Sequence, residues 1–171
     1  MCSPAIATQA EDLIAGGVKE LIHVGYAGGL QPELVPGEII LTDGAFNDTA
    51  VARLYGYDYD IIHSSKDLTN EIEEMITSAE ILYKRGFHWT TDAGYRETWG
   101  QVMDYRDKGA LCVEMEGVGL FTIANYRKCV ATGIYVVSDV YLEDDWKLGW
   151  EGNDIKKAVG EIIDMIIKPI R

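Results

Sequence analysis

Positive charge is scarce in this sequence: 15 lysines and arginines stand against 28 aspartates and glutamates, a formal net charge of −13 over 171 residues. So acidic a body repels a phosphate backbone, which excludes a nucleic-acid polymer as partner through a basic surface. Any anionic ligand needs a local site that opposes the global field. Cysteine is sparse and odd in number: Cys2, Cys112 and Cys129 lack metal-ligand spacing, and two of them sit in apolar runs. Reduced, buried thiols in a cytoplasmic protein are the expectation, not a disulfide framework. No apolar run reaches the roughly 18 residues of a membrane span, and no signal peptide is expected ahead of the first helical pattern. Tandem repeats, low-complexity segments and linkers are absent too. What is present, 47% hydrophobic and 25% charged residues, is ordinary for one soluble globular domain without a membrane partner.

The pattern along the chain alternates strands with helices. Ser3-Pro4 reads as an N-cap and first helical residue, and Gly16-Gly17 as the stop. Glu20 to Val24 is a strand running into a glycine-rich turn, Gly25 to Gly29; Pro36-Gly37 leads to a second strand, Glu38 to Thr42. Phe46 to Ser64 has no clean period and reads as loop with short strands. Leu68, Ile72, Met75, Ile76, Ala79, Leu82 and Tyr83 follow a helical period closed by Gly86. Phe87 to Thr91 is a strand, Arg96 to Arg106 a polar helix, Ala110 to Val113 a short buried strand. Met115 to Tyr126 reads as a helix packed closely through Gly117 and Gly119. Val130 to Val137 is a buried strand, and Ile155 to Ile166 an amphipathic helix stopped by Pro169. Nearly continuous apolar strands between helices predict an α/β layer architecture with a mainly parallel sheet.

In such sheets ligands collect beyond the carboxyl ends of the strands. Three strands end in unusual chemistry: Gly25-Tyr26 with Gly28-Gly29, Glu114-Met115-Glu116, and Ser138-Asp139. The glycines either present backbone N–H groups to an anion or sugar, or form a plain tight turn. Glu114 and Glu116, two apart, face one side of an extended chain and suit vicinal hydroxyls; alternatively they complement a helix dipole. Asp139 is either a proton donor or a cap for the next segment. His23, inside an apolar strand, is either a satisfied core residue or a ligand-facing one. Trp89, Trp99, Trp146 and Trp150 read as packing, with Trp146 and Trp150 the best candidates for base stacking.

Val24-Gly-Tyr-Ala-Gly-Gly-Leu30, Trp89-Thr-Thr-Asp-Ala-Gly-Tyr-Arg-Glu-Thr98, Val113-Glu-Met-Glu116 and Val137-Ser-Asp139 occur in the order and spacing of the nucleoside phosphorylase family, which the chain resembles from about Pro4 onward. That superfamily holds purine nucleoside phosphorylase and uridine phosphorylase and is related to the nucleosidases; the Trp89 stretch is most similar to uridine-phosphorylase-like members. The resemblance implies one domain over residues 1–171, α/β and three-layered, its mixed, mainly parallel sheet flanked by helices. Because Ser3-Pro4 matches the interior of family members, the first strands are expected to be missing. It implies phosphorolysis of a nucleoside N-glycosidic bond, with phosphate as co-substrate, no cofactor, no metal, and a homo-oligomer binding a nucleoside or nucleobase. Asp139 would protonate the leaving base. Glu116 would hold the ribose hydroxyls, with Met115 against the sugar; Glu114, Gly94, Tyr95 and Ser138 would line the base pocket. His23, Gly25 and Tyr26 fall on the phosphate site in degraded form. The family places arginine where His23 stands and serine or threonine where Tyr26 stands. Hydrolysis by water, and noncatalytic nucleoside binding, are the alternatives.

Overall fold

A computed structural model describes residues 2–143, 146–149 and 152–167, excluding the side chains of Trp146 and Lys147. The elements are α1 (Ser3–Ala15), β1 (Glu20–Gly29), β2 (Ile39–Asp48), α2 (Val51–Leu54), β3 (Ile61–His63), α3 (Lys66–Ser78), β4 (Tyr83–Thr91), α4 (Trp99–Asp107), β5 (Cys112–Glu114), α5 (Gly117–Arg127), β6 (Val130–Tyr141), β7 (Trp146–Leu148) and α6 (Asn153–Ile167). The strands form one mixed sheet in the order β3-β2-β4-β5-β1-β6-β7. Its two longest ladders, β1 with β6 and β2 with β4, are parallel. Ile39–Leu41 of β2 also pair antiparallel with Ile134–Val136 of β6, closing the five central strands into a ring.

Helices cover two sides of this sheet. Ala7 and Ala10 of α1, Val51 and Ala52 of α2, and Val118, Leu120, Phe121 and Ile123 of α5 pack with Leu21, Ala45, Ile62 and Ala131 from the strands. On the other side Leu68, Ile72 and Ile76 of α3 and Ile155, Ala158 and Ile162 of α6 cover Ile39, Leu41, Ile134 and Val136. The α/β reading, helices flanking a mixed sheet, matches the architecture. A Cβ on Gly119 would lie 2.6 Å from the Ser3 carbonyl oxygen, so the expected close packing through this glycine is the α1–α5 contact. Among the described residues no helix is long and apolar enough to cross a membrane.

Several boundaries differ from the sequence reading. Gly25 to Gly29 is not a turn: Gly28 pairs with Val113 on one side and Asp139 on the other, so β1 runs through Gly29. Glycine is needed there for close approach, since a Cβ on Gly28 would sit 2.9 Å from the Tyr141 ring. Helix α3 ends at Ser78, and Glu80 takes a left-handed conformation (φ 55°). Leu82 and Tyr83 kept the helical period by coincidence: Tyr83 opens β4 against Ile39, and Leu82 is exposed. The segment after Phe46 holds the end of β2, then α2 and β3. Ser3 is the first helical residue rather than the cap, which is Cys2; the buried Ser3 hydroxyl donates to the Met115 carbonyl at 3.0 Å. Strand β6 continues past Val137 to Tyr141, so Ser138 and Asp139 lie within it. Cys112 and Cys129 are buried and Cys2 half-buried, all as free thiols.

Candidate functional site

The β1–β6 register slips between Ala27 and Gly28: Ala27 faces Val137, but Gly28 faces Asp139, leaving Ser138 as an inserted bulge residue. Bulges re-aim neighbouring side chains and recur beside active sites. Here the bulge buries Asp139, with its Oδ2 near the position a Gly28 Cβ would take. The Ser138 hydroxyl lies between Asp139 Oδ1 and the Ala27 carbonyl, 3.2 Å from the latter. Because Gly28 also pairs with Val113, the Val113-Glu114-Met115-Glu116 turn stands on the other flank of the same glycine. The structure thus brings together the three strand ends that the sequence marked out.

Glu114 has a different position from the one expected for a base-lining group. Its side chain is 1% exposed. Its carboxylate accepts from the backbone N–H of Glu116 (2.7 Å) and Gly117 (2.8 Å), from the Thr90 hydroxyl, and meets His88 Nε2 at 3.1 Å. Thr90 Oγ1 in turn accepts the Val118 N–H at 3.2 Å. Three of the donors orphaned at the start of α5 are therefore satisfied by two side chains from neighbouring strands. Burial raises the Glu114 pKa, but the adjacent His88 and the donated hydrogen bonds outweigh it, leaving the pKa below the ordinary carboxylate value. Glu114 fixes the turn that presents Met115 and Glu116. Met115 Sδ faces Gly94, and Glu116 is half-buried, its pKa raised by burial and by the charge of Glu114.

The three residues expected at a phosphate site do not converge. His23 and Tyr26 sit in a stretch of β1 whose register with β6 is regular, so their opposite parity puts them on opposite faces. His23 turns toward the ring interior, Nδ1 3.4 Å from the Tyr135 hydroxyl, and Gly25 lies against its ring. Burial depresses the His23 pKa, opposed by the charge of Glu114, so the ring is neutral at pH 7. Tyr26 is 47% exposed. Tyr95 is fully exposed on the single turn Gly94–Arg96. Trp89 is packing, stacked on Tyr105 at 4.3 Å, and Trp99 lies under Arg106. Trp150 and the side chain of Trp146 lie outside the described residues.

Sequence reasoning missed several members. His88 bridges Thr42 and Glu114 with its two ring nitrogens, and a Cβ on Gly117 would overlap its ring. His23, Thr42, His88, Thr90, Glu114 and Tyr135 thus give each strand of the closed ring a polar residue inside it. The spacing of His88 and Thr90, two apart in an apolar strand, was the available signal. Glu97 and Tyr141 were also missed: the Tyr141 hydroxyl donates to Glu97 Oε2 at 2.6 Å, and burial, then the Asp139 charge, raises the Glu97 pKa. Arg106 ties this corner together by donating to the Leu30 carbonyl and, at 2.7 Å, to the Tyr141 carbonyl.

Two clefts lie away from these groups. One of about 760 Å³ runs between the α3–β4 connection and α6, where Lys84 is paired with Glu38 and Lys157 with Glu161. Another of about 390 Å³ is bordered by Asp48, Asp58, Asp60 and Asp92. The rim at Gly28, Met115 and Asp139 is the candidate taken further, since it joins a buried acid, a pinned turn and a glycine at close approach.

Comparison with known proteins bears on the family and the fold. The chain is 32% identical over 139 residues to the DeoD-type purine nucleoside phosphorylase of Exiguobacterium sibiricum, covering 80% of this chain and 59% of that protein. It is 31% identical over 138 residues to the protein of the same description from Bacillus cytotoxicus, with the same coverage. It therefore spans about three-fifths of the length of these relatives. A solved structure described as the P. knowlesi homolog of P. falciparum PNP superposes with a TM-score of 0.80 at 22% identity, over 95% of this chain and 65% of that one, a likeness of fold. The model of the phosphorylase superfamily matches residues 1–168, from the α1 anchor of Met115 to the end of α6, and the chain belongs to that superfamily.

Proposed function

We propose that this chain cleaves the N-glycosidic bond of a nucleoside by phosphorolysis, releasing the base and a pentose 1-phosphate. The observation that supports it most is the bulged register that buries Asp139 across Gly28 from the Met115–Glu116 turn. In this reading Asp139, steadied by Ser138, gives a proton to the departing base. Glu116 accepts from the vicinal ribose hydroxyls, and Met115 packs on the sugar. Charge then develops on the pentose ring as the bond breaks, and the Glu116 carboxylate stands beside it. Glu114, with His88 and Thr90, holds the turn in place. A nucleoside, not a polymer, is the ligand that suits the −13 charge. The base is proposed to be a purine, in keeping with the relatives' descriptions. The proposed setting is the cytoplasm, which free thiols fit, and the proposed assembly a homo-oligomer, which light scattering tests.

His23 favours one further reading. A neutral ring turned onto Tyr135 offers phosphate no cation, so water in place of phosphate is the alternative nucleophile. Incubating the chain with purine and pyrimidine nucleosides, with and without phosphate, separates the readings. Pentose 1-phosphate formed only with phosphate supports phosphorolysis; free pentose without it supports hydrolysis; binding without turnover by any nucleoside would contradict both.

A further inference from the structure

Glu97 is the acid at this rim that the reaction as proposed leaves without a task. It lies between the Gly94 turn and α4, and Thr98 caps that helix reciprocally with Gln101, which fixes the backbone on which Glu97 stands. One carboxylate oxygen, Oε2, accepts the Tyr141 hydroxyl. The other, Oε1, lies 3.5 Å from where a Gly94 Cβ would be, on the side where Met115 Sδ approaches. Among the described residues no donor reaches Oε1. The Tyr141 ring and Asp139 Oδ2 stand together over Gly28, so the residue that Tyr141 holds belongs to the end of the site where Asp139 meets the leaving group. Gly94 leaves open the space in front of Oε1 that any side chain would begin to fill.

We infer that Glu97 is a specificity-determining residue, whose Oε1 accepts a hydrogen bond from an exocyclic amino group of the base and so selects amino-bearing over oxo-bearing purines. This rests on the proposed nucleoside site. The chemistry is that of a fixed acceptor. Oε2 is committed, Tyr141 has its proton on Glu97, and Met115 is apolar, so an amino group finds a partner and a carbonyl oxygen faces a like dipole. Sites built to accept a particular N–H discriminate against analogues that lack it, because an acceptor covered by the ligand is then left unpaired. Burial and the charge of Asp139 both hold the Glu97 pKa up, so the preference weakens as the pH falls toward that value and the carboxyl becomes a donor.

The test is calorimetric titration of adenine and hypoxanthine into the wild-type chain, Glu97→Gln and Glu97→Leu, with thermal melts to verify folding. The wild type is expected to bind adenine about tenfold tighter or more. Glu97→Gln keeps an oxygen for Tyr141 and turns its amide donor to the base, so the preference should vanish or invert; Glu97→Leu should bind both weakly and alike. Equal affinity of the wild type for the two bases, no binding of either, or an unchanged preference in both variants overturns the assignment. Cleavage of adenosine is measured on the same samples. A chain that prefers adenine yet cleaves nothing keeps the base-reading role and loses the proposed reaction; one that cleaves adenosine and inosine alike does the reverse.

Discussion

Glu114 and His23 show how much a titratable group inside the closed sheet depends on its partners. Glu114 accepts from two backbone N–H groups, Thr90 and His88, and its side chain meets almost no solvent. Replacing it with glutamine sets an amide donor against donors and leaves His88 without its anion. Glu114→Gln should cost about 3 kcal/mol in urea denaturation; a loss within 0.5 kcal/mol, roughly that of an unremarkable surface change, would contradict the anchoring role. His23 makes a pH prediction of definite sign. Its folded pKa lies below the ordinary 6.5, so below about that pH the unfolded chain takes up a proton that the folded chain refuses. Stability is fully present above 6.5 and falls as the pH drops toward the depressed value. In His23→Gln, urea midpoints between pH 7.5 and 5.5 should fall less steeply than in the wild type; parallel curves would argue against a buried neutral ring. Glu114, with its lowered pKa, acts in a separate window below the carboxylate value of 4.5. The residue types at both positions were legible in the sequence. Their directions were not, because facing depends on strand parity relative to partners 26 and 112 residues away, His88 for Glu114 and Tyr135 for His23.

At the scale of the element, the decisive feature is the β6 bulge at Ser138. It lets a strand carry an acid into the rim while its neighbours Val137 and Val140 stay in the core. The sequence showed that Ser138-Asp139 follows an apolar run but placed it after the strand. Nothing local distinguishes a bulge from a strand end when the residues that continue, Val140 and Tyr141, are themselves strand formers. Gly25 to Gly29 misled in the complementary way: glycines clustered for close approach have the composition of a turn. Gly28→Ala should therefore act through contact rather than through backbone freedom. A methyl 2.9 Å from the Tyr141 ring forces that ring and its Glu97 bond to shift. The expected cost is about 1–3 kcal/mol with weakened base binding, read by urea denaturation and adenine titration. An alanine variant as stable and as tight-binding as the wild type would remove the close-approach explanation. By contrast, α6 was read nearly in full, because Ile155, Ala158 and Ile162 meet one apolar surface and follow one period.

For the whole molecule, the alternation of strands and helices was enough to indicate the α/β class and the rim of strand ends. Closure of the sheet through β2 and β6 was not visible, since a pairing between Ile39–Leu41 and Ile134–Val136 leaves no local mark. That closure creates an interior in which His23, Thr42, His88, Thr90, Glu114 and Tyr135 hold one another, and their network ends on the turn that presents Met115 and Glu116. The acidic charge and the inward His23 leave phosphate without a cation from β1, while Asp139 is the group on which the proposed chemistry turns. The most direct test is the turnover of a purine nucleoside at saturating phosphate by the wild type and by Asp139→Asn. The account predicts a fall in kcat of about 10²–10⁴ with little change in KM. An Asp139→Asn chain that turns over as fast as the wild type, or a wild type that releases no base, would contradict it.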